Sequence, residues 1–358
     1  MVKKIIFFII ILYGVEVSAY EIKKDNLLLD VYTNLYVDVF YSNNKPSNFI
    51  DDIHHEFKSY SFLSSSNAGI SLDYNNFVFN FEAGMEDSVR LFNFKYFINK
   101  DNDHFIKIGR DSTLLYYTFG QTANNLAGLR NYGNLNYDNR RFQIGYGIYG
   151  FQLSLIIPYF TDWNKEYIND SGANIAGYQF IPRLELSYDY QGINYNIKTF
   201  AGYGYYLYDY NNQEKSIHTA TIGIGSYSII NEKSSIYLSA FYGFNANLTS
   251  ALTNSKSVIL NNNKITMENI HSFGISAGFK YDYSKLITAQ AGIGYTFNYA
   301  DTYKSIDDSL GAYLNVIFKI NDYFSVIPEL SLFNNMQSNN EQSQGYKFMA
   351  GVTAVLEI

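Results

Sequence analysis

Residues 344–358 read QGYKFMAGVTAVLEI, and two kinds of position alternate along the whole stretch. One parity holds only apolar and aromatic side chains: Tyr346, Phe348, Ala350, Val352, Ala354, Leu356 and Ile358. The other parity is mixed and partly charged: Lys347, Met349, Gly351, Thr353, Val355 and Glu357. Successive side chains of a β-strand point to opposite faces. The stretch therefore predicts a strand with one apolar face and one face suited to water.

The same alternation recurs along the chain in short stretches that end at Asn, Asp, Gly or Ser. Asn75-Asn76 and Gln191-Gly192 are short connections typical of hairpins. Alternation and turns together predict sixteen strands, at residues 27–41, 69–74, 77–85, 90–98, 104–115, 141–149, 151–161, 180–190, 193–209, 216–230, 234–248, 270–283, 286–299, 309–319, 323–334 and 344–358. Tight turns alternate with long loops, and the long loops are 42–67, 116–140, 162–179 and 249–269.

This pattern predicts an all-β fold, an antiparallel transmembrane β-barrel of about 16 strands with short periplasmic turns and long extracellular loops. A secreted sandwich or propeller also alternates apolar and polar positions. The apolar parity here carries almost no charge, however, and aromatic side chains concentrate near strand ends, as at Phe40-Tyr41, Tyr116-Tyr117 and Tyr159-Phe160. Such side chains form the interfacial girdles of membrane barrels, which favours the barrel.

The first nineteen residues have the features of a cleavable signal peptide. Lys3 and Lys4 precede an apolar run over residues 5–15, and Val17-Ser18-Ala19 fits the small-residue cleavage site. The run is about half of the ~20 apolar residues that a transmembrane helix needs. We expect a signal peptide at 1–19, a single barrel domain at 20–358 and export to the bacterial outer membrane.

Composition excludes several other functions. A net charge of −7 and the lack of a large basic cluster argue against a nucleic-acid partner. The chain has no cysteine, which removes disulfides, thiol catalysis and thiolate metal sites. His54 and His55 lie beside acidic residues in the first long loop, but no metal-site spacing is met. No motif pairs a serine with a histidine base. We therefore expect no cofactor, no metal and no enzymatic activity.

The leader, the sixteen hairpin-connected strands and the long loop 116–140 together resemble the general porins of Gram-negative bacteria. The closing strand is similar to the assembly signal of that family, although its last residue, Ile358, is not aromatic. The resemblance implies a homotrimer in outer-membrane lipid and lipopolysaccharide that lets small hydrophilic solutes and ions diffuse passively. It also implies that loop 116–140 folds into the barrel and narrows it.

Parity and this resemblance predict which charged side chains line the pore. The candidates on the wall are Glu82, Lys95, Lys107, Arg141, Arg183, Glu185, Asp189 and Lys198, and those in the loop are Arg130 and Asp138. Charged side chains across a narrow water path create a transverse field. Arg110 has the parity of the lipid-facing Ile106 and Ile108, so we expect it at the barrel rim or at a bulge.

Two alternative functions remain at this point. A substrate-specific channel would use inward aromatic side chains such as Tyr32, Tyr36 and Phe200 to guide a sugar or a similar solute. A surface adhesin or receptor would instead use loop 42–67, which carries mixed charge and several aromatic residues.

Overall fold

A computed structural model describes residues 20–45, 54–61, 66–84, 89–115, 132–135, 140–157, 176–210, 213–246, 258–261, 264–301, 306–337 and 345–357. The predicted signal peptide lies outside these residues. The strands are β1 (Tyr20–Lys24), β2 (Leu27–Lys45), β3 (His54–Ser61), β4 (Asn67–Tyr74), β5 (Phe77–Gly84), β6 (Val89–Asn99), β7 (His104–Asp111), β8 (Arg141–Ile148), β9 (Phe151–Ile156), β10 (Ala176–Gln191), β11 (Tyr195–Tyr210), β12 (Gln213–Asn231), β13 (Ser234–Phe244), β14 (Val258–Asn261), β15 (Lys264–Met267), β16 (Ile270–Asp282), β17 (Ile287–Ala300), β18 (Ile306–Lys319), β19 (Phe324–Gln337) and β20 (Gly345–Glu357).

Eighteen of these strands form one antiparallel sheet that closes on itself as a barrel of sixteen strand positions. Two positions are each filled by two short strands. Along one edge of β2, β1 pairs with its first residues and β20 with the rest. Along the other edge, β4 pairs with its first residues and β3 with the rest. β14 and β15 form a separate hairpin. The predicted fold class and strand number are therefore confirmed.

The two faces of the barrel wall differ as the alternation predicts. On β16 the outward Phe273 and Ile275 are exposed, whereas the inward Ser272 is fully buried. On the neighbouring strand Ile293 points outward and Thr296 points inward, and they are 50% and 0% exposed. The outer face is thus an apolar band suited to lipid, and the polar side chains point into the barrel.

Glycines on the inner face make room for aromatic rings from the adjacent strand. Phe40 on β2 lies over Gly351 on β20, where an added Cβ would stand 2.5 Å from the Phe40 Cγ atom. Phe241 on β13 covers Gly274 on β16 in the same way. In these contacts an aromatic ring occupies the space that a glycine leaves on the neighbouring strand. Such pairs, known as aromatic rescue of glycine, help to fix the register of the paired strands.

The prediction of a long loop at 42–67 was wrong for half of the segment. β2 continues to Lys45, and residues His54–Ser61 form β3, which pairs with Val37–Asn44. Loop 249–269 likewise contains the β14–β15 hairpin. At the other end, β1 extends the barrel before the first predicted strand. Among the described residues, no helix has the length and apolar character needed to cross a membrane.

A lysine on the outer face should destabilise the barrel far more than one on the inner face. Ile275→Lys places a charge near the middle of the apolar band, so we expect a loss of about 2–4 kcal/mol in the free energy of unfolding. The matched control is Gln290→Lys, which adds the same charge on the inner face of the next strand. Urea titration in lipid vesicles measures both. Equal losses would contradict the assignment of the two faces.

Candidate functional site

The chain leaves β7 at Asp111 and turns into the barrel. The backbone N–H of Leu114 donates a hydrogen bond to Glu185 Oε2 on β10 at 2.7 Å. The Gln143 side-chain amide on β8 donates to the carbonyls of Asp111 and Ser112, both at 2.9 Å. These bonds hold residues 111–115 against the inner wall at the point where the chain leaves β7.

The described middle part of that loop, Tyr132–Leu135, lies on the opposite wall. The Gly133 N–H donates to Thr296 Oγ1 on β17 at 2.6 Å. Asn134 Oδ1 accepts hydrogen bonds from Ser239 on β13 and from Ser276 on β16, the latter at 3.0 Å. β17 stands eight positions from β7 in the closed order of sixteen. The described residues Tyr132–Leu135 therefore lie inside the barrel, against the wall opposite β7.

Apolar contacts hold the loop at the same level. Leu135 and Leu115 pack together with three wall residues, Phe200, Phe241 and Ala246. Tyr132 packs with four others, Phe40, Tyr313, Phe333 and Met349. All of these side chains are less than a tenth exposed. The interior thus contains two apolar clusters that join the loop to the wall.

Two glycines permit this close approach. Gly133 has φ +74°, and a Cβ there would collide with the Ile275 carbonyl, so only glycine fits easily. On the wall, a Cβ at Gly311 would stand 2.8 Å from Tyr132 Cγ. The Tyr132 ring therefore packs directly on the backbone of β18 at Gly311.

Three predicted pore residues form ion pairs at the base of the loop, one pair buried and the other partly buried. Arg183 and Glu185 are joined at 2.6 Å, and their side chains are 6% and 0% exposed. Lys107 and Asp111 are joined at 2.7 Å. Buried pairs of this kind are costly to break because each partner would leave a charge without compensation. These residues hold the loop base in place.

Glu82 forms a second group of contacts on the inner face. Its Oε1 atom lies 2.7 Å from Arg90 Nε and 3.8 Å from a terminal nitrogen of Arg140. The Tyr32 hydroxyl donates to its other oxygen at 3.0 Å. This carboxylate therefore links β2, β5, β6 and the start of β8.

The remaining predicted wall charges lie on the inner face and are less buried. Lys95 contacts Asp103 at 3.4 Å near the short-turn rim and lies 3.7 Å from the Phe105 ring centroid. Asp189 and Lys198 are directly opposite each other on β10 and β11. Arg141 begins β8 and faces Asp111 across the ladder. Arg130 and Asp138 lie outside the described residues.

Two other predicted residues find definite places. Arg110 pairs with Phe92 and Phe142 on the outer face with no register shift at that point, so it lies at the long-loop end of β7 and not at a bulge. Phe200, expected to guide solutes, is 5% exposed because Leu115 and Leu135 cover it. That expectation was wrong for Phe200.

Three histidines on the barrel strands lie on the outer face. His218, His271 and His104 each make a hydrogen bond with a tyrosine hydroxyl, on Tyr203, Tyr242 and Tyr146, at 2.6, 2.8 and 3.0 Å. Within the described strands and loops, no three His, Cys, Asp or Glu residues are grouped so as to hold a metal ion.

No family model matches the sequence, and no curated protein matches it. Solved structures are similar. The outer membrane channel DcaP of Acinetobacter baumannii has a TM-score of 0.69 at 12% identity, covering 96% of this chain and 100% of that chain. OmpT, an outer membrane protein of Vibrio cholerae, has a TM-score of 0.61 at 14% identity, covering 95% of this chain and 100% of that chain. An anion-selective porin from Comamonas acidovorans has a TM-score of 0.58 at 10% identity, covering 93% of this chain and 100% of that chain. The chain therefore has the closed-barrel fold of outer-membrane porins.

Removing the Glu185 carboxylate should destabilise the folded barrel. Glu185→Ala leaves Arg183 buried without its partner and the Leu114 amide without its acceptor, so we expect a loss of about 3–5 kcal/mol in the free energy of unfolding. The control Arg183→Met with Glu185→Leu removes both charges and should recover the part of that loss that comes from the uncompensated arginine. Urea titration in vesicles measures each variant. An unchanged Glu185→Ala would contradict the anchoring role.

Proposed function

We propose that this protein is an outer-membrane porin through which small hydrophilic solutes and ions diffuse passively. The observation that carries the proposal is the position of Tyr132–Leu135 inside the barrel, against the wall opposite β7. A loop segment there narrows the path between walls that carry polar and charged side chains. An apolar outer face and a polar inner face fit a barrel with lipid outside and water inside. We propose no enzymatic activity and no cofactor for it.

The arrangement of charges supports a transverse field at the constriction. Lys107, Arg141 and Lys198 lie on the inner face of β7, β8 and β11. Asp38 on β2 and Glu329 on β19 lie on the opposing half of the barrel. Such a field orders water and penalises bulky apolar solutes, so it favours small ions and polar molecules.

We also propose export by the signal peptide at 1–19, residence in outer-membrane lipid and lipopolysaccharide, and assembly as a homotrimer. OmpT of Vibrio cholerae, a similar structure, is known in a trimer form. Part of the segment that the adhesin alternative would use, His54–Ser61, pairs with β2 as part of the sheet.

Loosening the loop from the far wall should widen the channel. Tyr132→Ala with Asn134→Ala removes the ring over Gly311 and the acceptor of the Ser239 and Ser276 hydroxyls. We expect larger sugars and peptides to enter proteoliposomes faster, measured as the rate of vesicle swelling, while the smallest solutes change least. The matched control, Tyr188→Ala, removes a ring of the same size from the outer face and should leave the size dependence unchanged.

An unaltered size dependence in the loop variant would refute Tyr132–Leu135 as the constriction. Folded wild-type barrels that give no swelling with any solute would refute the porin function itself.

A further inference from the structure

The inner wall is divided into two chemically different halves. The charged pairs described above lie on β5 to β11. On the next four strands, the inner-face positions from Thr219 to Tyr227, Ser235 to Gly243, Ser272 to Gly278 and Thr288 to Asn298 carry no charged side chain. They are mostly Ser, Thr, Gly, Gln, Asn and Tyr. Charges border this neutral wall on each side. Lys215 lies at its long-loop end, and the Lys280–Asp282 pair, 3.1 Å apart, lies at its short-turn end. Lys198 on β11 is opposite Gly225, and Asp307 on β18 is opposite Asn298.

Two tyrosines form a platform on the neutral wall. Tyr227 on β12 and Tyr237 on β13 are direct cross-strand partners. They share the inner face with Gly223 and Ser239, since no register shift intervenes. Their ring centroids are 5.0 Å apart and the ring planes are tilted by 30°. Both side chains are partly exposed in the interior.

A glycine neighbours the platform on β16. Gly278 lies directly opposite Tyr237 on β16, and a Cβ there would be in ordinary contact with the ring at 3.7 Å. The position therefore has no side chain that could cover the ring. Ser235 and Gln290 lie on the same face, on either side of Lys280. Gln290 is a hydrogen-bonding group on this wall, and Ser235 is buried beside Tyr237.

The platform also lies directly on the solute path. Tyr237 precedes Ser239 by two residues on the same face, and Ser239 is where Asn134 of the loop is bound. β13 begins at the short-turn rim, so the rings lie on the short-turn side of the constriction. A solute that has passed the loop, or one that approaches from the short-turn side, meets the rings first.

We propose that Tyr227 and Tyr237 form a binding subsite for neutral, hydroxyl-rich solutes of the carbohydrate class. A sugar ring presents C–H groups on its faces, which pack on aromatic faces, and hydroxyls at its edge, which bond to Ser, Gln and Tyr groups. The absence of charge on these described strand positions favours neutral solutes over ions here, while ions follow the charged wall. The subsite rests on the proposed channel function and gives it a substrate class.

The test is the block of salt current by maltotriose in a planar bilayer that contains the full barrel. We expect saturable block of the wild type, faster when the sugar is added on the short-turn side. Tyr227→Leu with Tyr237→Leu should raise the half-blocking concentration about tenfold and leave conductance without sugar unchanged. Tyr227→Phe with Tyr237→Phe, which keeps the rings, should retain most of the block.

The matched control is Tyr188→Leu on the outer face. Maltotriose should block this variant at the same concentration as the wild type. Wild-type channels that conduct salt but are not blocked by maltotriose, or Leu variants that block equally well, would overturn the subsite and leave the channel function intact. Folded barrels that conduct no salt would instead overturn the channel function.

Discussion

The bilayer interior offers no water to backbone N–H and C=O groups, and this constraint determines the rest of the structure. A sheet can satisfy all of them in lipid only if it closes on itself. Closure here depends on β2, whose two sides are each paired along their length by two strands in succession. β1 begins close to where β20 ends, so the strands from the two ends of the described chain complete one position of the barrel.

Closure fixes which residues can face the interior, and the interior is then divided by the loop. A strand has only two faces, so each inward position has an outward neighbour that faces lipid. Without a loop in the interior, the inward polar side chains would surround an open water path. Tyr132–Leu135 lie inside against one wall, where glycines leave space and where Thr296, Ser239 and Ser276 form hydrogen bonds with the loop. The chemistry of the path therefore depends on where the loop lies against each wall.

The sequence predicted the strands well because alternation is a local property. It missed β3, where HHEFKSYS carries no apolar parity and is recognisable only through its partner β2. Parity placed Arg183 and Glu185 on one inner face. Parity could not predict that Glu185 accepts a hydrogen bond from the Leu114 amide, because the two residues lie 71 positions apart in the chain.

The loop contacts were beyond the reach of local patterns for the same reason. Gly133 and Thr296 are 163 residues apart, and no periodicity connects them. The sequence did predict an internal loop at 116–140, on its resemblance to porins, but not which residues would reach the far wall. The tyrosine platform was likewise missed because Tyr227 and Tyr237 become neighbours only through the β12–β13 register.

The measurement that tests the account most directly is single-channel recording of the refolded chain without residues 1–19. A closed barrel with a polar, partly blocked interior predicts stepwise currents whose size increases with salt concentration. A homotrimer predicts that the steps come in groups of three. A barrel that is folded and inserted, yet gives no steps at any salt concentration, would contradict the central claim that the interior is a water-filled path.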